Sequence, residues 1–293
     1  MGKVFYILYL ILYTQYAMLI DGKKIGQEIL NNLYSEVKKL PFQPIFCDIL
    51  VGKDPASVQY VKMKGQAAEK IGIAVHKAEY PENITTEELL TEIHKLNQIK
   101  NMCGLIVQLP LQPHINQAEV LNSIDPAIDV DVTGEVNSQK FYLGEPNALE
   151  FPTAVAILNL LDSTGENLKE KNFLVMGFGM LVGRPVSYLL EKKGYKVAVA
   201  RSKTANTNEL LKNADVVISA TGKPNIVTGE KIKPGSIIID AGTSESEGGI
   251  VGDVDFESVN KIASFVSPVP GGVGAVTVAM LLSNVVQVAK TMN

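Results

Sequence analysis

The chain has 293 residues, 46% apolar and 20% charged, with a formal net charge of −4. That length can carry two domains with sizeable cores, and an acidic balance without a basic, aromatic-interleaved stripe excludes nucleic acid as the expected partner. Cys47 and Cys103 lack metal-ligand spacing, and His76, His94 and His114 form no ligand motif. No metal site is therefore expected, and the thiols read as buried and reduced in the cytoplasm. The apolar run from Val4 to Tyr13 is too short for a membrane span, which needs about 20 residues, so no membrane partner is expected. It fits a signal-peptide core with Gln15-Tyr16-Ala17 as a poor cleavage region. The preferred alternative is an extension, residues 1–17, ahead of a natural start at Met18.

Ile25, Ile29, Leu30, Leu33 and Val37 repeat at helical spacing and predict a helix from Lys24 to Lys39. Pro44 to Val51 reads as a buried strand. Gly52-Lys53-Asp54-Pro55 breaks it, and Ser57 is placed to cap a helix ending near Lys70. Ile73 to Tyr80 predicts a strand, Thr85 to Gln98 a helix opened by Thr85-Thr86-Glu87-Glu88, and Gly104 to Leu109 a strand stopped by Pro110. Strands alternating with helices imply a parallel sheet.

A second α/β block follows. Ala154 to Leu161 reads as a helix, and the strand Asn172 to Met176 enters Gly177-Phe178-Gly179-Met180-Leu181-Val182-Gly183. A helix from Arg184 to Lys193 and strands at Lys196 to Ala200, Val216 to Ala220 and Ser236 to Asp240 complete a doubly wound, Rossmann-like rhythm. Pro268 to Gly274 is too rich in proline and glycine for a helix or strand. It reads as a shaped loop entering a last helix from Ala275 to Thr291, whose free N–H groups suit an anion or a polar ligand edge. An ordinary turn is the alternative. The fold class is thus α/β with two domains. An N-terminal catalytic domain takes residues 18–150 plus 275–293, so that the last helix packs back on it. A dinucleotide-binding domain takes residues 151–274.

Gly177 and Gly179 let backbone approach a pyrophosphate, and Gly183 lets the next helix pack close. Further strands end at Thr221-Gly222 and at Gly242, so all three strand ends offer cofactor-binding positions; a tight turn without ligand is the alternative. After Ala200, where an acidic residue would favour NAD, the chain has Arg201-Ser202-Lys203. A guanidinium, a hydroxyl and an ammonium favour the 2′-phosphate of NADP; a merely solvated loop is the other reading. In the first block, Tyr60 and Lys64 share a helix face. Gln108 ends a strand and Asp131 sits in Ile128-Asp129-Val130-Asp131. A lysine can move protons, tyrosine and glutamine can orient it, and a carboxylate can grip paired N–H donors. Each residue alone also reads as structural.

Several motifs together carry a resemblance. They are Val51-Gly52-Lys53-Asp54-Pro55-Ala56-Ser57 with Tyr60-Val61-Lys62-Met63-Lys64, then Gly104 to Leu111, and Asp125-Pro126 leading to Asp129-Val130-Asp131. The second half adds Val182-Gly183-Arg184-Pro185, Ser202-Lys203-Thr204 and Pro268 to Gly274. From about Leu19 to Lys290 the chain resembles the family of bifunctional methylenetetrahydrofolate dehydrogenase/methenyltetrahydrofolate cyclohydrolases. The resemblance implies Lys64 as the catalytic lysine, Tyr60 and Gln108 as its helpers, and Asp131 as the pterin-binding carboxylate. It implies Pro270, Gly271 and Gly272 as lining of the folate and nicotinamide site. It further implies tetrahydrofolate substrates, NADP with NAD as the alternative, a cleft between two domains, a homodimer and no metal. The chain departs from the family pattern at Phe178 and Gly179, where an Arg and a Ser are usual, at Val132 in place of Gly, and at Phe151-Pro152-Thr153-Ala154 in place of Pro-Cys-Thr-Pro. A monofunctional NAD(P)-dependent dehydrogenase and a non-catalytic dinucleotide-binding protein are the competing readings.

Overall fold

The computed structural model describes residues 16–246 and 249–292; the run Val4 to Tyr13 lies outside them. The elements in chain order begin with β1 (Met18–Leu19), α1 (Gly22–Val37), β2 (Ile45–Val51), α2 (Pro55–Lys70), β3 (Ala74–Tyr80), α3 (Thr86–Asn97) and β4 (Met102–Val107). Next come α4 (Gln117–Asn122), α5 (Glu135–Leu143), α6 (Pro152–Ser163), β5 (Asn172–Met176), α7 (Gly183–Lys192), β6 (Lys196–Ala200), α8 (Thr207–Asn213) and β7 (Val216–Ser219). The last are β8 (Ile237–Asp240), β9 (Ser244–Ser246), β10 (Gly249–Val251), α9 (Phe256–Val259), β11 (Phe265–Val266) and α10 (Val273–Thr291).

One compact unit comprises Gly26–Val155 and Thr277–Asn293. Its sheet has the order β3-β2-β4, all parallel. β4 is buried throughout and β2 from Phe46 onward, as both faces of a parallel sheet are covered. Asp54, not Ser57, caps α2: its carboxylate accepts from the Ser57 N–H at 2.8 Å, with Pro55 in the first turn. Pro lacks an N–H to satisfy there, so the preceding acidic residue is the better cap. Thr85 and Glu88 form a capping box on α3. The C-terminal helix packs on this unit as expected. At Gly104 in β4 an added Cβ would lie 2.7 Å from the Val285 side chain, so the glycine permits helix and strand to meet. Asn284 secures the same helix, donating to Val130 O and Glu150 O at 2.8 Å each. Among the described residues α10 alone is long and apolar enough to cross a membrane, and most of it is buried in protein.

The other unit comprises the described residues up to Ile25 with Ala156–Val276. Its parallel sheet runs β1-β11-β8-β7-β5-β6. The chain leaves β5 for β6 on one side and then returns to β7 on the other, which puts a topological switch point beside the C-terminal end of β5. Leu174, Met176, Val217, Ile238 and Val266 join Ala17 in the core beneath. β1 is absent from the sequence reading, which took Met18 onward into the first domain. It pairs Met18 with Phe265 and Leu19 with Val266. Two residues show no periodicity, and their partner lies far along the chain.

Candidate active site

Lys64 lies on the covered face of α2 with a side chain only 5% exposed. Its Nζ donates to Gln108 Oε1 at 2.8 Å and sits 4.7 Å from the centre of the Tyr60 ring. Tyr60 and Lys64 meet because they are one turn apart. Gln108 is set by its backbone N–H, which donates to Ile49 O, and by its Nε2, which donates to Leu109 O at 2.7 Å. These bonds turn the amide so that Oε1, an acceptor, faces the lysine. The structure thus brings together three residues that the sequence spacing alone could not join.

A fourth group was not anticipated. Asp48, in the middle of β2, holds its Oδ2 2.6 Å from Lys64 Nζ, with a side chain 3% exposed. Burial pushes the Asp48 carboxyl upward, against the lowering effect of the adjacent Lys64 charge. Its neighbour Cys47 is pushed up to about 12 by burial and by the Asp48 charge, which makes it an inert thiol. The available signal was one carboxylate inside the apolar run Ile45–Val51, since a buried charge needs a partner.

Asp131 follows from a loop fixed on both sides. Asp129 accepts from the Thr133 and Gly134 N–H groups, and Asn137 donates to Asp129 O. Val132, the residue standing where the family pattern has glycine, is buried with φ at +61°. A β-branched residue in the left-handed region is strained, and the loop's hydrogen bonds hold it there. Burial raises the Asp131 carboxyl to about 7; the Lys64 charge lowers it, and Asp129 and Asp48 raise it further. Burial also pushes the Tyr60 hydroxyl upward, helped by Asp131 and Asp48. The phenol therefore keeps its proton at neutral pH. The other departing segment begins α6 at Pro152, with Phe151 packed edge-on to Phe141 at 5.0 Å.

In the second unit, Gly177 has φ +91°, and an added Cβ would strike Ala220 O. Gly183 lies equally close to Gly177 O, while Gly179 faces open space. No side chain among the described residues caps the N-terminus of α7. The Arg184 N–H donates to Gly179 O and Pro185 has none, so of its first turn only the Gly183 N–H faces outward for an anion. The Arg201 guanidinium stacks 4.1 Å from the centre of the Phe178 ring, and that of Arg184 lies 6.0 Å from it. Ser202 is exposed beside them. Thr221 donates its hydroxyl and its N–H to Asp253 Oδ2, and the Gly242 N–H donates to Asp240 Oδ1. Gly242 is needed because Asp253 occupies the space of a Cβ. Its N–H is spent inside the unit.

The proline–glycine loop also has a defined seat. Gly271 O accepts from the Lys23 N–H at 3.1 Å, and Gly22 packs directly against Gly272 O. Pro270 follows a cis peptide bond. α10 then starts at Val273, two residues before the predicted start.

Residues 20–131 match the family model "Tetrahydrofolate dehydrogenase/cyclohydrolase, catalytic domain", and residues 152–293 match its "NAD(P)-binding domain". A relative named bifunctional protein FolD, from Acetivibrio thermocellus, is 40% identical over 278 residues, 94% of this chain and 97% of that protein. The chain belongs to the tetrahydrofolate dehydrogenase/cyclohydrolase family. Among solved structures, the bifunctional FolD enzyme of Campylobacter jejuni matches with a TM-score of 0.89 at 37% identity, over 94% of this chain and all of that one. The Trypanosoma brucei FolD enzyme, complexed with NADP cofactor and an inhibitor, matches with a TM-score of 0.89 at 35% identity, over 94% of this chain and 98% of that one.

Proposed function

We propose that this chain oxidises 5,10-methylenetetrahydrofolate to the 5,10-methenyl form with NADP and then hydrolyses that product to 10-formyltetrahydrofolate. The observation that carries the reading is the 2.8 Å bond from Lys64 to Gln108 inside a buried, charged cluster. A membership in the family without that cluster would fit a dehydrogenase alone.

The second unit fits a dinucleotide. The Gly177–Gly183 contact leaves room for backbone to approach a pyrophosphate, and the start of α7 supplies the Gly183 N–H. Arg201, steadied by Phe178, with Arg184 and Ser202 nearby, supplies donors for a 2′-phosphate. When bound, the nicotinamide supplies the hydride acceptor for the oxidation. The residues of this chain need do little acid–base work there beyond holding the ligands in register. Asp131 accepts from the paired N–H donors of the pterin edge, and in the dinucleotide unit Pro270, Gly271 and Gly272 line the nicotinamide side. Hydrolysis needs proton transfers. Lys64 takes a proton from the attacking water and returns one to the departing ring nitrogen. Gln108 aims its Nζ, and Tyr60 shields and orients it. In this reading the unit of residues 26–155 with those from 277 on binds folate, and the unit of residues 156–276, with the strand Met18–Leu19, binds the dinucleotide. The two compact units support that division, and the family matches support its change of domain between residues 131 and 152. The protein works as a cytoplasmic homodimer, which sedimentation checks.

The test is an absorbance assay with 5,10-methylenetetrahydrofolate and NADP or NAD in parallel. Reduced nicotinamide is followed first, then total methenyl product after an acid quench. Reduction with NADP and little accumulated methenyl compound is expected. Accumulation would leave a dehydrogenase alone, reduction only with NAD would remove the role given to Arg201, and no reduction would overturn the reading.

A further inference from the structure

Asp48 has no role in the scheme above, yet it makes the shortest contact to its central residue. We propose that Asp48 is a positioning residue that receives a proton from Lys64 when Lys64 takes one from water; this rests on the hydrolytic reading of Lys64. A purely structural role explains the arrangement poorly, because a buried ion pair is weak support for stability. Asp48 is also incompletely satisfied. Lys64 is the ion-pair partner of Oδ2, yet both oxygens are shut away from solvent with no hydrogen-bond partner among the described residues. Asp129, by contrast, is held by two backbone N–H groups. A buried carboxylate short of donors is readily protonated, in agreement with the upward push on Asp48.

The geometry supplies the route. An ammonium has three protons. One is donated to Gln108 Oε1 at 2.8 Å, and Asp48 Oδ2 lies 2.6 Å from the same nitrogen as its ion-pair partner. A charged Lys64 cannot act as a base until it sheds a proton, and Asp48 is the acceptor on the same nitrogen. Nζ passes a proton to Oδ2, turns the lone pair so freed to the water, and takes the proton of the water O–H that breaks as the water oxygen bonds to the methenyl carbon. A second proton moves from the hydroxyl of the adduct, by way of Nζ, to the ring nitrogen as the carbon–nitrogen bond breaks. No electrons are exchanged. The pair ends with one extra proton, matching the single proton that hydrolysis of the methenyl cation releases. The titratable groups around the pair are Tyr60 on α2, Cys47 on β2, and Asp129 and Asp131 on the loop beyond β4; Lys77, the register neighbour on β3, is exposed.

Asp48→Asn keeps the shape but cannot take the proton. The two activities are measured separately on the purified full chain, with kcat followed against pH under saturating folate, where the binding role of Asp131 drops out. The cyclohydrolase kcat should fall about 100-fold, and the dehydrogenase kcat by less than about threefold. The wild-type cyclohydrolase kcat should decline on the acid side, as Asp48 fills. Equal losses in both activities, or an unchanged cyclohydrolase kcat, would overturn the proposal. If Asp48→Asn does not fold, Asp48→Val, apolar like Ile49 and Leu50 beside it, allows the same comparison. A wild-type cyclohydrolase kcat with no acid-side decline overturns it without any variant. A wild type with no hydrolytic activity removes the functional reading and this inference with it, whereas an active wild type matched by Asp48→Asn removes this inference alone.

Discussion

Lys64 and Asp131 answer to different measurements because they meet the substrate differently. Lys64→Ala removes the base, and Lys64 belongs to the unit without the Gly177–Gly183 loop. Cyclohydrolase activity should be lost, by about 100-fold or more, while NADP binding measured by fluorescence stays near the wild-type value. Asp131 is tested through pH. Its folded-state carboxyl lies at about 7 against an ordinary 3.8, chiefly through burial. The folded protein therefore holds this proton more tightly than the unfolded chain. Stability from this group is fully present below about 4 and is lost as pH rises through about 7. Asp131→Asn removes the burden of a buried anion, so its Tm should match the wild type near pH 4 and exceed it increasingly towards pH 8. The gain should be on the order of 2–4 kcal/mol at the upper end. Folate affinity should move the other way, falling in the variant. Equal Tm differences at both pH values would refute the account of Asp131.

At the scale of elements, the strand–glycine–helix joint from β5 to α7 was legible because each residue type has a steric reason there. Gly177 needs a positive φ and Gly183 a close approach. The capping box of α3 was legible for the same reason. What could not be read was pairing across distance. Phe178 looked like the loss of an arginine, yet the fold stacks Arg201 from the end of β6 on its ring. Asp48 looked like one letter of a strand until α2 laid Lys64 against it. The stack gives a prediction for the β5–β6 edge. Arg201→Ala should raise the KM for NADP about 10–100-fold, as loss of a charged phosphate contact does, with the value for NAD nearly unchanged. Phe178→Ala should shift NADP in the same direction by less, because the guanidinium remains but loses its seat. Parallel effects on both cofactors in initial-rate assays would mean that these residues shape the loop without meeting the phosphate.

At the scale of the whole molecule, the alternation of strands and helices announced two α/β sheets, but not that residues 18 and 19 would pair with residues 265 and 266, nor how the C-terminal helix would be tied in. The tie is Asn284. Its one amide nitrogen donates to Val130 O, beside Asp131, and to Glu150 O, before α6. A single buried side chain thus joins segments that are 154 and 134 residues away in sequence. Such polar links are costly to break, here because the Val130 carbonyl left behind stays buried. Asn284→Ala should therefore destabilise the protein by on the order of 1–3 kcal/mol in urea unfolding. The carbonyl beside Asp131 is also released, so the KM for folate should rise while the KM for NADP stays close to the wild type. Asn284→Asp keeps the size but turns the donor into an acceptor facing two acceptors, and should be worse than alanine at neutral pH. If alanine costs stability with no change in folate KM, Asn284 serves the core alone. If aspartate is the milder change, the hydrogen bonds drawn from Nδ2 are not what holds the helix.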